Sequence, residues 1–215
     1  MTDMTLRLIT RAQNSAGERV RIALNLKALD YDYVPIAELT PQAFIDLNPQ
    51  GLLPALQVDG QTIAQSSAIL DFLEEYAPRP SLLPTDPWAR AHARAFASYI
   101  AAEMHAVTVR RIRTFLAGTY GIEESGIEAW LQHWTQSGLQ TLETMLIQRP
   151  TPFRFCYDDT PGWADLHLVP QMRNARRFGV DLAPYPHLRA IDDACNALDV
   201  FRRARPEAQP DFGGS

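Results

Sequence analysis

Residues 52–76 read LLPALQVDGQTIAQSSAILDFLEEY, and this stretch decides the fold of the first part of the chain. The pair Asp59-Gly60 between two short apolar runs predicts a β-hairpin with strands at 55–58 and 61–63. Apolar residues then recur with the i, i+3, i+4, i+7 spacing of a helix face, at Ile69, Phe72, Leu73 and Tyr76. The stretch therefore predicts two antiparallel strands followed by an amphipathic helix.

Upstream of this hairpin the sequence alternates between strand and helix periodicity, which is typical of an α/β unit. Residues 6–10 and 31–36 predict strands, and residues 19–27 and 41–46 predict helices. Apolar residues on two stripes of the 19–27 helix indicate that it is covered on more than one side. The predicted order is βαβ, then a helix, the hairpin and a third helix.

Downstream, four prolines within residues 77–87 (APRPSLLPTDP) predict a linker. Beyond it the sequence predicts one long helix over 88–117 and three further helices at 127–148, 163–177 and 186–196, the third of these four interrupted by Pro170. We therefore expect an α/β domain at 1–80, a linker at 81–87 and an all-helical domain at 88–215. The last twelve residues, ARPEAQPDFGGS, are expected to form a loosely held tail.

Composition excludes several classes of function. The chain has 215 residues, 46% hydrophobic and 21% charged, and its 20 Lys+Arg against 25 Asp+Glu give a net charge of −5 without a long block of like charge. Nucleic acid is therefore not an expected partner. Neither a signal peptide nor a stretch of about 20 apolar residues is present, so we expect a cytoplasmic protein without a membrane partner.

Sequence motifs of common catalytic classes are also missing. The chain contains no GxSxG, GxxxxGK[ST], HExxH or GxGxxG motif. Cys156 and Cys195 lie far apart and form no CxxC pair, and the five histidines show no metal-ligand spacing. We expect no metal site and predict that both cysteines pack as small hydrophobic groups.

Three turns in the first part combine small polar residues with the ends of helices or strands. Residues 14–17 (NSAG) precede the first predicted helix, and Gln65-Ser66 precedes the third. Amides at such helix starts bind anions, although a side chain there can equally serve as an ordinary helix cap. Pro54 marks a cis peptide bond or a sheet edge, and either leaves the main chain of Leu53 ready for an extended ligand.

Taken together and in this order, these features resemble the glutathione transferase superfamily, and within it the zeta class of maleylacetoacetate and maleylpyruvate isomerases. The resemblance covers nearly the whole chain and implies a thioredoxin-like first domain, an all-helical second domain and glutathione as cofactor. It is carried by RVRIAL at 19–24, LK at 26–27, LNPQ at 47–50, LPAL at 53–56, QS at 65–66, AI at 68–69, LEE at 73–75, AD at 164–165, LVPQ at 168–171, ARRF at 175–178, VDL at 180–182, PYP at 184–186 and QPD at 209–211.

The resemblance implies a glutathione site in the first domain. Leu53 would pair its main chain with the cysteinyl part, and Gln65 and Ser66 would hold the γ-glutamyl group. The family's activating turn falls on Asn14-Ser15-Ala16, where Ala16 offers neither the thiol nor the hydroxyl found in the family. Ser15 is the one hydroxyl left in this turn, so Ser15 and Asn14 are the predicted catalytic residues.

The family's chemistry also implies cationic groups, because the substrate is a conjugated dicarboxylate. Arginine suits this task since its planar fork binds both oxygens of a carboxylate. The predicted substrate-binding residues, each of which could instead lie on a solvated helix face, are Arg11 (or Gln13 in its place), Arg110, Arg111, Arg176 and Arg177. His105, on the same predicted helix as Arg110, is expected to reach the cofactor from the second domain or to be a core histidine.

One further departure from the family is structural. The threonine that opens the helix three residues before Asp165 in the family is replaced by Gly162. Asp165 can still accept from main-chain amides, and loss of the cap hydroxyl costs from a few tenths to about 1 kcal/mol. We therefore expect the helix to form without this cap.

Two classes of function follow from the resemblance. The first is a glutathione-dependent cis-trans isomerase of a small unsaturated dicarboxylate of the maleylpyruvate or maleylacetoacetate type, or a closely related zeta-class transferase acting on another electrophile. The alternative is a binding or scaffold protein that lacks thiol activation because of Ala16. The partners implied are a small-molecule substrate and a second copy of the chain in a homodimer.

Overall fold

The computed structural model describes residues 5–213, which divide into two compact units. The first unit runs to Leu82 and also contains the segment from Asn196 onward, whereas the second unit runs from Leu83 to Cys195. The final segment therefore groups with the α/β unit, although the sequence-based division placed it in the helical one. The predicted fold class, a thioredoxin-like α/β unit with an all-helical second part, is confirmed.

The first unit is built on a four-stranded mixed sheet in the order β2-β1-β3-β4. β1 and β2 are parallel, and β3 is antiparallel to both β1 and β4. The strands are β1 (Leu6–Thr10), β2 (Asp32–Pro35), β3 (Ala55–Val58) and β4 (Gln61–Ala64), and the helices are α1 (Ser15–Leu26), α2 (Pro41–Leu47) and α3 (Ser66–Tyr76). This order and the Asp59-Gly60 hairpin are as predicted.

Helix α1 begins four residues earlier than the sequence predicted. Asn14 is the N-cap, and its side chain satisfies an amide of the first turn, so the helix includes the small residues that follow it. Every residue from Ala16 to Leu24 is buried. The helix is thus covered on more than one side, as its double apolar stripe predicted.

The C-terminal segment covers one side of α1, and up to residue 213 it is not the loose tail that the sequence predicted for 204–215; Gly214 and Ser215 lie outside the described residues. It contains α10 (Asp199–Arg202) and a 3₁₀ turn at Pro206–Ala208, with Phe201 and Ala204 buried. Arg21 of α1 donates from Nε to the Ala204 carbonyl at 2.8 Å, and Asn25 Nδ2 donates to the Val200 carbonyl at 2.8 Å. A buried guanidinium needs acceptors, and this segment supplies one of them.

The second unit is helical, as predicted, with one difference. Its helices are α4 (Pro87–Ser98), a π-helical stretch at Tyr99–His105, α5 (Ala106–Thr108), α6 (Arg110–Tyr120), α7 (Glu124–Ile147), α8 (Trp163–Arg177) and α9 (Pro186–Asn196). The predicted single helix over 88–117 is broken at Val109, whose ψ of 156° is extended. Thr108 Oγ1 donates back to the Met104 carbonyl at 2.9 Å, a bond that competes with the helix ladder just before the break.

The start of α8 is organised by a buried carboxylate. Asp165 accepts from the Gly162 amide at 2.8 Å and from the Cys156 amide at 2.9 Å, so the helix forms without a capping hydroxyl, as expected. Cys156 and Cys195 are buried free thiols, which confirms their predicted packing. Burial raises the pKa of both thiols and keeps them protonated.

Replacing Asp165 by Asn is expected to lower the free energy of unfolding by about 1–3 kcal/mol, because the amide nitrogen cannot accept and one buried N–H loses its partner. Asp159→Asn is the matched control, since Asp159 accepts a single amide, that of Arg154, at an exposed position of the same loop. Urea denaturation of both variants checks this. Equal stability of the two variants would contradict the role assigned to Asp165.

Candidate functional site

Three connecting segments of the first unit meet at one edge of the sheet. Ile9, Ala55 and Ala64 form a row across β1, β3 and β4. Because β3 is antiparallel to both neighbours, β1 and β4 leave the sheet where β3 enters it. The turn before α1, the Leu53 loop and the start of α3 therefore lie together, as the predicted glutathione site requires.

The first of these segments is the tight turn at the start of α1. Asn14 Oδ1 accepts from the Gly17 amide at 2.5 Å, so Asn14 is the cap and Ser15 is the first, half-buried residue of the helix. A Cβ on Gly17 would lie 2.1 Å from Thr10 Oγ1, which shows how closely the helix start packs on β1. Ala16 is buried.

The second segment leads into β3 through Leu53. The Leu53–Pro54 peptide bond is cis, one of the two possibilities that the sequence left open. Buried Asn48 holds this loop, since its Nδ2 donates to the Leu52 carbonyl at 2.7 Å and its Oδ1 accepts from the Gln50 amide at 3.2 Å. Among residues 5–213 no hydrogen bond engages the Leu53 main chain, so its amide and carbonyl suit an extended, peptide-like ligand.

The third segment is the start of α3. Gln65 has a φ of 72° and its side chain caps no amide. The first helical bond runs from Ile69 N to Gln65 O, so the amides of Ser66–Ala68 precede the ladder at the positive end of the helix. Gln65 Nε2 instead donates to Gln50 Oε1 at 2.5 Å, tying this helix start to the Leu53 loop. Open amides held in this way suit a carboxylate.

A buried arginine behind α3 was not predicted as part of the site. Arg19 is 1% exposed and its Nη1 lies 3.4 Å from Ser66 Oγ, while its Nε and Nη2 have no hydrogen-bond partner among the described residues. Burial lowers the pKa of Arg19 to about 10, opposed by neighbouring Glu18, so it is charged at neutral pH. The Ser66 hydroxyl oxygen accepts the hydrogen bond from Arg19, so its own hydrogen remains available to donate to a ligand. The sequence signal that could have indicated this role is the position of an arginine within the buried stripe of α1.

Five other predicted residues are placed as follows. Arg11 is half-buried just after β1, its Nε without a partner in the described chain, and Gln13 is exposed in the same turn. In the second unit His105 is half-buried at the end of the π-helical stretch. Arg110 and Arg111 are exposed in the first turn of α6, after the break at 109. The break thus gives α6 its own N-terminus beside these two arginines.

The last two predicted residues lie in the final turn of α8. Arg176 Nη2 forms an ion pair with Asp192 Oδ2 at 2.5 Å, and Asp192 is fully buried. Burial raises the pKa of Asp192, and the bond from Arg176 opposes this rise. Arg177 lies with its guanidinium carbon 5.2 Å from the ring centroid of Phe178. The sequence did not indicate the Asp192 partner, which fixes Nη2 of Arg176, although the Arg176 side chain as a whole is 47% exposed.

Two other kinds of site find no support in the described chain. From residue 5 to residue 213, no three His, Cys, Asp or Glu side chains are grouped so as to hold a metal ion. Over the same residues no helix combines the length and the apolar character that a membrane crossing requires. The groups that the sheet edge presents are main-chain amides, the Ser66 hydroxyl and the guanidinium of Arg19.

A thioredoxin-like unit with open amides at this edge, joined to a helical unit, defines the glutathione transferase fold. The family model described as "Glutathione S-transferase, N-terminal domain" matches residues 15–76. Maleylpyruvate isomerase of Ralstonia sp is 45% identical over 203 residues, which cover 93% of this chain and 96% of that protein. Maleylacetoacetate isomerase of Pseudomonas aeruginosa is 38% identical over 213 residues, which cover 96% of this chain and 98% of that protein.

Solved structures agree with these relatives. The holo structure of a maleylpyruvate isomerase, a bacterial zeta-class glutathione transferase, matches with a TM-score of 0.92 and 43% identity over 96% of this chain and all of that one. Maleylacetoacetate isomerase of Anaeromyxobacter dehalogenans, solved with glutathione in its active site, matches with a TM-score of 0.86 and 40% identity. The match covers 97% of this chain and 98% of that one. The present chain belongs to the glutathione transferase superfamily and, within it, to the zeta class.

Proposed function

We propose that this protein is a glutathione-dependent isomerase that converts the cis double bond of a small unsaturated dicarboxylate, of the maleylpyruvate or maleylacetoacetate type, to trans. The observation that carries the proposal is that three groups able to hydrogen-bond a ligand lie together at one sheet edge. These are the unengaged Leu53 main chain, the uncapped start of α3 and the Ser66 hydroxyl backed by Arg19. Relatives at 38–45% identity bear the names of these isomerases.

The residues present fit glutathione, a tripeptide with a γ-glutamyl carboxylate at one end. Leu53 would form main-chain hydrogen bonds with its cysteinyl part. The amides after Gln65 and the Ser66 hydroxyl would bind the γ-glutamyl carboxylate, supported by the charge of buried Arg19. Bound in this way, glutathione would supply a thiolate nucleophile for the double bond of the substrate.

The turn at the start of α1 would activate the sulfur. Asn14 is occupied as the helix cap, so the cap role does not fall on Ser15. The Ser15 hydroxyl, at the positive end of α1, is suited to donate to a thiolate and stabilise it. Ala16 cannot do this, but relatives at 38–45% identity that bear isomerase names favour the isomerase over a binding protein without thiol activation.

The substrate carboxylates require cations from this chain. Arg110 and Arg111 are exposed and carry donors in fork geometry, and the side chain of Arg176 is also exposed, although its Nη2 is paired with Asp192. Arg11 offers a further guanidinium beside the activating turn. As the double bond opens, negative charge develops next to one carboxylate, and a cation fixed there stabilises the transition state more than the ground state.

The assembly and location are inferred from the family. We propose a two-fold homodimer, because proteins of this superfamily are usually two-fold dimers, and we propose a cytoplasmic location as the resemblance implies. Sedimentation at several concentrations tests the dimer. A monomer at every concentration would contradict it.

The function is tested by turnover of maleylpyruvate and maleylacetoacetate with and without glutathione. Turnover that requires glutathione supports the isomerase. The thiolate absorbance of bound glutathione, followed against pH, separates this from the alternative. A bound thiol that keeps its ordinary pKa, together with no turnover of either substrate, would favour the binding protein.

Replacing Ser66 by Ala is expected to weaken glutathione binding about tenfold, since the variant loses a hydroxyl that donates to a charged carboxylate. Calorimetry measures the affinity, and thermal unfolding shows whether the fold is intact. Ser67→Ala is the matched control, because Ser67 is the exposed neighbour in the same helical turn. Unchanged affinity of Ser66→Ala, or an equal loss in both variants, would remove Ser66 from the site.

A further inference from the structure

The motif Gln209-Pro210-Asp211 has no role in the site described so far, yet its carboxylate touches the activating turn. Asp211 Oδ2 accepts from the Ala12 amide at 3.1 Å, and Asp211 Oδ1 accepts from the Tyr33 hydroxyl at 2.6 Å. Gln209 fixes the segment around it, since its Nε2 donates to the carbonyls of Arg203 and Arg205, both at 2.8 Å. The carboxylate is therefore presented to the turn by an ordered segment.

The carbonyl of the same residue is held by Arg21 of α1 and by the turn itself. The Ala12 carbonyl accepts from Arg21 Nη2 at 3.2 Å and from the Asn14 amide at 3.0 Å, and Arg21 Nη1 reaches the Arg11 carbonyl at 3.4 Å. Arg21 is itself bound to the Ala204 carbonyl of the C-terminal segment. The turn from Arg11 to Asn14 is thus clamped by two side chains that both depend on this segment.

We propose that Asp211 is a positioning residue of the active site, which fixes the turn that presents Ser15 to the sulfur of glutathione. The effect on catalysis rests on the proposed function. The effect on the structure of the turn rests on the hydrogen bonds alone. A thiolate is stabilised only by a donor at the right distance and angle, and displacement of a turn by about 1 Å can lower a rate a hundredfold. Leu53, Gln65 and Ser66 lie on other segments, so glutathione affinity does not depend on this clamp.

The two hydrogen bonds, and not the negative charge, are the means of positioning. Burial and the bond to Asp211 raise the pKa of Tyr33, so its hydroxyl stays protonated and donates. The charge of Asp211 lies near Arg21, whose guanidinium balances it. An asparagine at 211 can accept from the Ala12 amide through its oxygen and donate to the Tyr33 hydroxyl through its nitrogen, which preserves both contacts.

The test compares Asp211→Ala with Asp211→Asn in the full chain. Three quantities are measured: hydrogen exchange of the amides of residues 11–17, kcat of glutathione-dependent isomerisation, and glutathione affinity by calorimetry. Asp211→Ala is expected to speed exchange at 11–17 and to lower kcat by about ten- to a hundredfold, with glutathione affinity unchanged. Asp211→Asn is expected to behave as the wild type in all three. Asp199→Ala is the control, since Asp199 is an exposed carboxylate of the same segment paired with Arg202 and Arg203.

Several results would overturn the proposal. These are faster exchange with unchanged kcat, equal loss of kcat in the alanine and asparagine variants, or a loss of glutathione affinity as large as the loss of kcat. Failure of the proposed function is recognised separately, as a wild-type protein without glutathione-dependent turnover. In that case exchange at residues 11–17 still decides: unchanged exchange in Asp211→Ala overturns the clamp, and faster exchange supports it.

Discussion

Replacing Ser15 by Ala is expected to lower kcat of the isomerisation by about 10²–10³-fold, equivalent to about 3–4 kcal/mol of transition-state stabilisation. Ser15 carries the one side-chain hydroxyl in the turn from Asn14 to Gly17. Its loss leaves the amides of the helix start as the remaining donors to the thiolate. The thiol pKa of bound glutathione is expected to rise at the same time, because the thiolate loses a hydrogen bond and the thiol does not.

Stopped-flow turnover and thiolate absorbance measure these two effects, and Ser15→Thr is the conservative variant that should restore both. Asn14→Ala separates activation from capping. It is expected to lower the free energy of unfolding by about 1 kcal/mol, as for other lost helix caps, with a smaller effect on kcat than Ser15→Ala. If Ser15→Ala kept wild-type kcat and thiol pKa, activation would have to come from the helix amides alone.

The sequence predicted the first unit well because its signals are local. The Asp59-Gly60 turn, the alternation of its flanking strands and the spacing of Ile69, Phe72 and Leu73 each depend on residues close in the chain. The structure differs from the prediction where contacts between residues distant in the chain determine the conformation. The C-terminal segment is ordered by Arg21 and Asn25, which lie at least 175 residues away, and turn-forming residues within the segment gave no sign of this.

The local sequence signal for the break at Val109 is weak, and the absence of Gly and Pro around it favoured a continuous helix. Residues 88–117 contain no Gly or Pro, and the helix nevertheless ends after Thr108, whose hydroxyl bonds to the carbonyls of Met104 and His105. A threonine followed by valine lowers helix propensity only slightly. Such a small preference decides the backbone only in combination with the packing of the neighbouring helices, which a single sequence does not provide.

The candidate site was predictable as a set of segments but not as a set of contacts. Leu53, Gln65 and Ser66 follow from the motif and lie where the topology requires. Arg19 and Asp211 escaped notice because their roles depend on partners 47 and 199 residues away. For the same reason Arg176 was predicted as a substrate ligand without its partner Asp192, whose burial makes an ion pair there necessary.

Replacing Glu74 by Gln is expected to lower the free energy of unfolding at neutral pH by about 3 kcal/mol, because it leaves the buried ammonium of Lys27 without its counter-charge. Lys27 Nζ lies 2.8 Å from Glu74 Oε2, and the two side chains are 0% and 14% exposed. Glu74 also accepts from Ser81 Oγ at 2.6 Å and from the Leu82 amide at 3.1 Å. The carboxylate therefore fastens the end of the first unit to α3, and glutamine can keep only part of these bonds.

The same carboxylate gives the protein a defined acid sensitivity. Burial alone would raise the pKa of Glu74, but hydrogen bonds from Lys27, Ser81 and Leu82 outweigh it and hold the pKa below its ordinary value. A group whose pKa is lowered on folding adds stability above its ordinary pKa of 4.5 and loses it as the pH falls through the folded value. Wild type and Glu74→Gln should therefore differ most near neutral pH and converge in urea denaturation as the pH falls through the lowered pKa of Glu74. Glu75→Gln, an exposed neighbour on α3, should match the wild type throughout, and a difference between wild type and Glu74→Gln that persisted unchanged in acid would show that the lost charge is not the cause.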